Sequence, residues 1–225
     1  MGSRLIKGSR ISDQEIRGII RMYVLEVPAL KAAKELGVNR HTVERIYTHI
    51  RREIVRFSEL ENGFSGSVEV DESYFGGQRK GKRGRGAAGK VVVFGILKRQ
   101  GKVFCCPIPD VTRATLRSII QDKIEIGSTI YSDSLGSYDG LITLGYKHYR
   151  INHQKAFAQG KRRHINGIEN FWGFAKTKLR RYYGISRSHF FLYLKEMEFR
   201  FNYRNHDLSK LIESILKATC KLAHS

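Results

Sequence analysis

Acidic residues are scarce in this chain: 21 Asp and Glu stand against 41 Lys and Arg in 225 residues, a formal net charge of +20. An excess of this size points first to a polyanionic partner, and nucleic acid is the commonest polyanion. Cysteine is nearly missing too. Cys105, Cys106 and Cys220 make neither a disulfide framework nor a Cys-x-x-Cys zinc site, which suits a reducing cytoplasm. Long apolar runs are absent; Val91–Leu97 is far too short to span a bilayer. No basic amphipathic helix with a bulky apolar face speaks for a membrane surface, and the N-terminus does not read as a signal peptide. What remains is a globular composition, 41% hydrophobic, long enough for one large domain and a small one.

The first 60 residues read as helices. Ser12-Asp13-Gln14-Glu15 is a capping box, followed by Ile16, Ile19, Ile20 and Tyr23 at helical spacing. Pro28 suits the start of a second helix, Gly37-Val38-Asn39 breaks it, and Asn39 caps a third helix with Val43, Ile46 and Ile50 on one side. This is the pattern of a helix-turn-helix whose second helix offers Arg40, His41, Thr42 and Arg45 to a major groove. An ordinary helical bundle with a basic surface is the plainer reading; the charge favours DNA.

From residue 61 to 225 the composition turns β-rich, then helical again, and this span reads as a second domain with C-terminal helices. Val68–Gly77 is its first strand, with Glu69, Asp71 and Ser73 on one face and Val68 and Val70 on the other. A carboxylate inside a core strand is costly unless paired or bound to metal, so Asp71 is an ion-pair partner or a ligand. Glu72, on the opposite face, reads as an ion-pair partner. The Gly-rich stretch Gly76–Lys90 carries Arg79, Lys80, Lys82, Arg83 and Arg85 and no acid, a composition suited to a phosphate backbone. Strands at 90–98 and 102–107, a helix at 112–124, a short strand ending in Asp133 and a fifth strand near 147–151 follow. Asn166 reads as the cap of a helix running from Gly167 to about Tyr183, and a long helix covers about 187–203.

If the first three strands are antiparallel and the fourth lies parallel beside the first, Asp71 and Asp133 become neighbours. Their repulsion is relieved by Mg²⁺, a hard cation that takes carboxylate oxygens. Glu169, from the later helix, completes a set of three, enough to hold two metals about 3.5–4 Å apart and to clamp both oxygens of a phosphodiester displacement.

Val70-Asp71-Glu72-Ser73-Tyr74-Phe75-Gly76-Gly77, Ser132-Asp133, and His164-Ile165-Asn166-Gly167-Ile168-Glu169-Asn170-Phe171-Trp172 resemble the motifs of bacterial insertion-sequence transposases. The family is the one numbered fifteen ninety-five, with its XO-two-like elements, and the likeness covers roughly residues 66–205. The resemblance implies an RNase H-like α/β fold, a mixed five-stranded sheet flanked by helices, behind the helix-turn-helix. It implies an Asp-Asp-Glu site at Asp71, Asp133 and Glu169 with two Mg²⁺ ions, Mn²⁺ as substitute. It also implies DNA as partner, an assembly of at least two copies, and a nucleoid-associated cytoplasmic setting. Lys176, seven residues after Glu169, matches the basic residue that accompanies this acid and is set to hold a DNA phosphate. Two departures matter. Members often begin with a zinc ribbon, and no cysteine precedes Cys105 here. The third acid is sometimes replaced by Asn or His, which leaves His164, Asn166 and Asn170 as alternatives, and Asn166-x-x-Glu169 also reads as a capping box. The rival functions are a DNA-binding regulator without catalysis and a nuclease that cuts without joining.

Overall fold

The computed structural model describes residues 4–60, 63–76, 90–133, 136–151, 165–182 and 184–222. The chain divides into two compact units, Met1–Glu61 with Tyr203–Ser225, and Asn62–Asn202.

The first unit opens with α1 (Asp13–Val24). Its capping box is formed: the Ser12 hydroxyl accepts the Glu15 N–H, and the Glu15 carboxylate accepts the Ser12 N–H at 2.8 Å. Helix α2 (Ala29–Leu36) ends at Gly37, whose φ of 65° is the left-handed conformation that lets the chain turn. Helix α3 (Arg40–Glu59) begins at Asn39, which accepts the His41 N–H at 2.8 Å. Ile16, Ile19 and Ile20 of α1, Ala32 and Ala33 of α2, and Val43, Ile46 and Ile50 of α3 are buried. The C-terminal helix Leu208–Leu222 belongs here as well, although the sequence places it in the second domain. Its buried Ile212, Ile215 and Leu216 form an apolar stripe that must be covered, and it packs on α1 and α3, with Glu213 bonded to Arg17 at 3.2 Å.

The second unit is built on a five-stranded mixed sheet in the order β3-β2-β1-β4-β5. Strands β1 (Ser67–Phe75), β2 (Val91–Lys98) and β3 (Val103–Ile108) form an antiparallel meander. Then α4 (Arg113–Lys123) crosses over and returns the chain to β4 (Thr129–Ser132), parallel beside β1, with β5 (Lys147–Arg150) parallel beside β4. This is the RNase H-like arrangement. The period of two in β1 decides the layers. Val68 and Val70, with Phe94, Ile96 and Ile130, pack on Leu116 and Ile120 of α4. Phe75, Val93, Leu97 and Cys105 pack on the other face against α5 (Asn166–Leu179) and α6 (Arg187–Asn202).

An edge strand leaves N–H and C=O groups unpaired unless something covers them. Along β3 the cover is α6. Asn202 accepts the Val103 N–H and donates to the Val103 carbonyl, both at 2.8 Å, and Glu198 accepts the Cys105 N–H at 2.7 Å. Glu198 is itself held by the buried ammonium of Lys195. Among the described residues no helix is long and apolar enough to cross a membrane.

Candidate active site

In the β1–β4 register Glu69 pairs with Tyr131. Two residues further along, Asp71 comes beside Asp133, which lies just past the end of β4. At the end of β4 the Ser132 hydroxyl donates to the Asp133 carbonyl and lies 2.8 Å from His148 Nε2 on β5. Oxygens of Asp71, Glu72 and Asp133 all lie within 4.8 Å of one another. The neighbouring aspartates are what the strand arrangement demands; Glu72 is not. Its expected role as an ion-pair partner is replaced by a place in the cluster, its carboxylate accepting the Tyr138 hydroxyl at 2.7 Å. Alternation puts Glu72 on the face opposite Asp71, but the pairing of β1 with β4 ends at Glu69. Beyond that point, among the described residues, no strand pairs with β1 on this side to separate the two faces.

The electrostatics are those of carboxylates crowded together with little water. Burial drives the Asp71 carboxyl up from 3.8 to about 6, and the charges of Asp133 and Glu169 add to the push. The Glu72 backbone N–H and the Trp172 indole N–H oppose it. Burial likewise drives Glu72 from 4.5 to about 7, with Asp71 and Asp133 adding and the Tyr138 hydroxyl opposing. Asp71 and Glu72, whose ionisation burial opposes, together with the half-buried Asp133 beside them, are a fitting donor set for a hard divalent cation.

Helix α5 brings the remaining groups. Glu169 is exposed on its first turn, outside the cluster of three but near enough for its charge to act on Asp71. Asn166 and Asn170 are exposed on either side of it. The expected capping box is not formed: Ile165 occupies the cap position, without a side-chain bond, and Asn166 is already helical. Lys176 lies two turns on; partial burial lowers its ammonium and the charge of Asp71 raises it. His164 lies outside the described residues, as do Arg79, Lys80, Lys82, Arg83 and Arg85.

Trp172, expected to be a core anchor, has a second role. Its Nε1 donates to Asp71 Oδ2 at 3.0 Å. A buried indole N–H needs an acceptor, and that need, in the only tryptophan of the chain, was the signal to follow. The ring reaches Asp71 because the residue opposite Asp71 on β2 is Gly95: a Cβ there stands 2.6 Å from Trp172 Cζ2. Gly95→Ala is therefore expected to cost about 1–3 kcal/mol by overpacking. It should also tilt the indole away from Asp71, seen as a shifted tryptophan fluorescence and a lowered melting temperature. Unchanged values for both would mean that the ring has room to spare.

On α3, Arg40 and Arg45 are exposed and Thr42 is partly buried. Arg40 is held by Glu44 at 2.7 Å, and His41 lies 3.5 Å from the same carboxylate.

A family model described as the ISXO2-like transposase domain matches residues 63–202. A protein of Haemophilus influenzae, described as an uncharacterized transposase-like protein, is 45% identical over 120 residues, 53% of this chain and 94% of its own. Among solved structures, the catalytic core domain of BIV integrase is similar at a TM-score of 0.43 and 13% identity, over 66% of this chain and 94% of that one. The Mos1 transposase paired-end complex with the left transposon end is similar at a TM-score of 0.29 and 12% identity, over 93% and 79%.

Proposed function

Because this chain belongs to the ISXO2-like transposase family, we propose that it cuts DNA at the ends of its element and joins them to a target, with Asp71, Asp133 and Glu169 holding two divalent ions. The observation that carries the reading is the cluster of Asp71 and Glu72, in the middle of β1, with Asp133, just past the end of the neighbouring parallel strand β4. Mg²⁺, or Mn²⁺ in its place, supplies charge neutralisation and Lewis acidity at the reacting oxygens of the phosphodiester. The chain's own groups do the rest. Trp172 binds Oδ2 of Asp71 and holds that carboxylate in place beside Asp133. Lys176 holds a DNA phosphate beside the carboxylates. Water cleaves the strand at the element end, and the freed 3′-OH attacks the target without a covalent enzyme intermediate. Handling two ends at once calls for at least two copies of the chain. The test is incubation with duplex DNA carrying the element's ends and Mg²⁺, followed by separate assays of cleavage and joining. Cleavage without joining makes the protein a nuclease; binding without either makes it a regulator.

Glu72 is a second claimant to ligand status because it sits inside the cluster. Glu169→Gln is expected to fold normally and lose cleavage, since a neutral amide holds Mg²⁺ poorly, whereas Glu72→Gln keeps its bond to Tyr138 and retains part of the activity. The reverse pattern in a cleavage assay makes Glu72 the third ligand.

For DNA binding we assign sequence reading to α3, through Arg40, His41, Thr42 and Arg45, and phosphate contact to the basic stretch with Arg79, Lys80, Lys82, Arg83 and Arg85. Binding should weaken steeply with salt, with a logarithmic slope of about −0.9 for each phosphate neutralised. Arg45→Ala is expected to relax sequence preference while leaving the slope within about one unit; deletion of residues 78–90 should flatten the slope and spare the preference. Binding isotherms at several salt concentrations, on end-bearing and random duplexes, separate the two roles. An exchange of these outcomes reverses the assignment.

A further inference from the structure

Helix α5 starts without a cap of its own, since Ile165 at the cap position contributes no side-chain bond. The acceptor comes from across the sheet. Glu69 of β1, 2% exposed, takes the Ile168 N–H on Oε2 at 3.0 Å. Its other oxygen takes Arg99 Nε at 3.1 Å, and the Arg99 guanidinium lies 3.7 Å from the centroid of the Tyr131 ring. A negative charge is favoured at a helix N-terminus, and Arg99 balances the burial of that charge. The close approach depends on Gly167: a Cβ there stands 2.8 Å from Glu69 Oε2 and 2.9 Å from Leu97 Cδ2. Glu69 is thus bonded to the residue just before Glu169, and it lies on β1 two residues before Asp71, on the same face.

We propose that Glu69 is a positioning residue of the active site, a cap supplied by β1 that sets the first turn of α5, and with it Glu169, relative to Asp71. The inference rests on Glu169 being a metal ligand. Its test uses the full chain and Mn²⁺ alone as probe, with calorimetric titration and amide hydrogen exchange on Glu69→Ala, Glu169→Gln and the double variant. Glu69→Ala should weaken Mn²⁺ binding about tenfold or more, as for residues that orient metal ligands. The double variant should be no weaker than Glu169→Gln, because both remove one contribution. Exchange over residues 166–172 should quicken while that of β2 does not. Gly167→Ala should copy Glu69→Ala in the native background and add little to it in combination.

A Glu69→Ala protein with a lower melting temperature but native Mn²⁺ affinity and native exchange makes Glu69 a buried ion pair and nothing more, and additive losses overturn the positioning role. Native Mn²⁺ affinity in Glu169→Gln overturns the ligand reading instead, and exchange then reports separately on whether Glu69 anchors the helix. Where the alanine variant does not fold, Glu69→Gln serves. It keeps one oxygen for the Ile168 N–H and should restore most of the exchange protection, with Mn²⁺ affinity within a few-fold of native; loss of both in a folded Gln variant counts against the cap.

Discussion

Asp71→Asn and Asp133→Asn each bring Mg²⁺-dependent DNA cleavage down to the uncatalysed background, while the folded structure and DNA binding persist. The expectation follows from where the two groups sit. Asp71 lies in the middle of β1 and Asp133 just past the end of the adjacent parallel strand β4, with oxygens inside one 4.8 Å cluster, and neither is needed to fill the core. Asparagine keeps the shape, and at position 71 it keeps an oxygen for the Trp172 N–H. What it removes is charge, and with charge goes the affinity for a hard cation. Without metal that charge is a liability, as the raised Asp71 carboxyl records. Asp71→Asn should accordingly melt at or above the temperature of the native protein at pH 8 in the absence of divalent ions. Cleavage at native rates by either variant, measured on end-bearing DNA at saturating Mg²⁺, removes the aspartates from the mechanism. A variant that fails to fold shows the cluster to be structural.

Metal binding should strengthen sharply between pH 5.5 and 7.5. Asp71 and Glu72 have carboxyls raised by burial to about 6 and about 7 from ordinary values of 3.8 and 4.5. Because the folded values lie above the unfolded ones, the metal-free fold retains protons that the unfolded chain has released. The stability these groups contribute is therefore present below about pH 4 and is lost as the pH rises through 6 and 7. A bound cation reverses this, since it takes the ionised carboxylates and displaces the protons. If both groups must ionise, Mn²⁺ affinity at pH 5.5 is roughly a hundredfold weaker than at pH 7.5. The stabilisation of melting by Mn²⁺ then grows over the same window in which the metal-free protein loses stability. Glu72→Gln should remove the part of this dependence centred near 7 and keep the part near 6. A Mn²⁺ affinity flat from pH 5.5 to 7.5 places the ion away from Asp71 and Glu72.

Local chemistry was legible in the sequence. Ser12 with Glu15, Gly37 and Asn39 announce where the first helices start and stop, because caps and left-handed turns depend on residues within one helical turn of each other. The alternation in β1 gives its two faces, and the order of the strands with the parallel return of β4 brings Asp71 beside Asp133. The family motifs could be read for the same reason: each is a short run around one acid. What the sequence could not reveal are relations that exist only when distant segments meet. Glu72 joins the cluster because β4 stops short of it, a fact about strand length in the assembled sheet that alternation along β1 does not contain. The cap of α5 was sought in Asn166, three residues before Glu169, and lies instead in Glu69, 99 residues from the N–H it accepts. Trp172 bonds Asp71 across 101 residues, through a space that opens only because Gly95 has no side chain. The C-terminal helix shows the same limit. Its apolar stripe states that it must be buried, and only the tertiary structure chose α1 and α3 as the surface that buries it. A stripe of Ile and Leu specifies how much area to cover, while its partner is selected by shape across the folded chain.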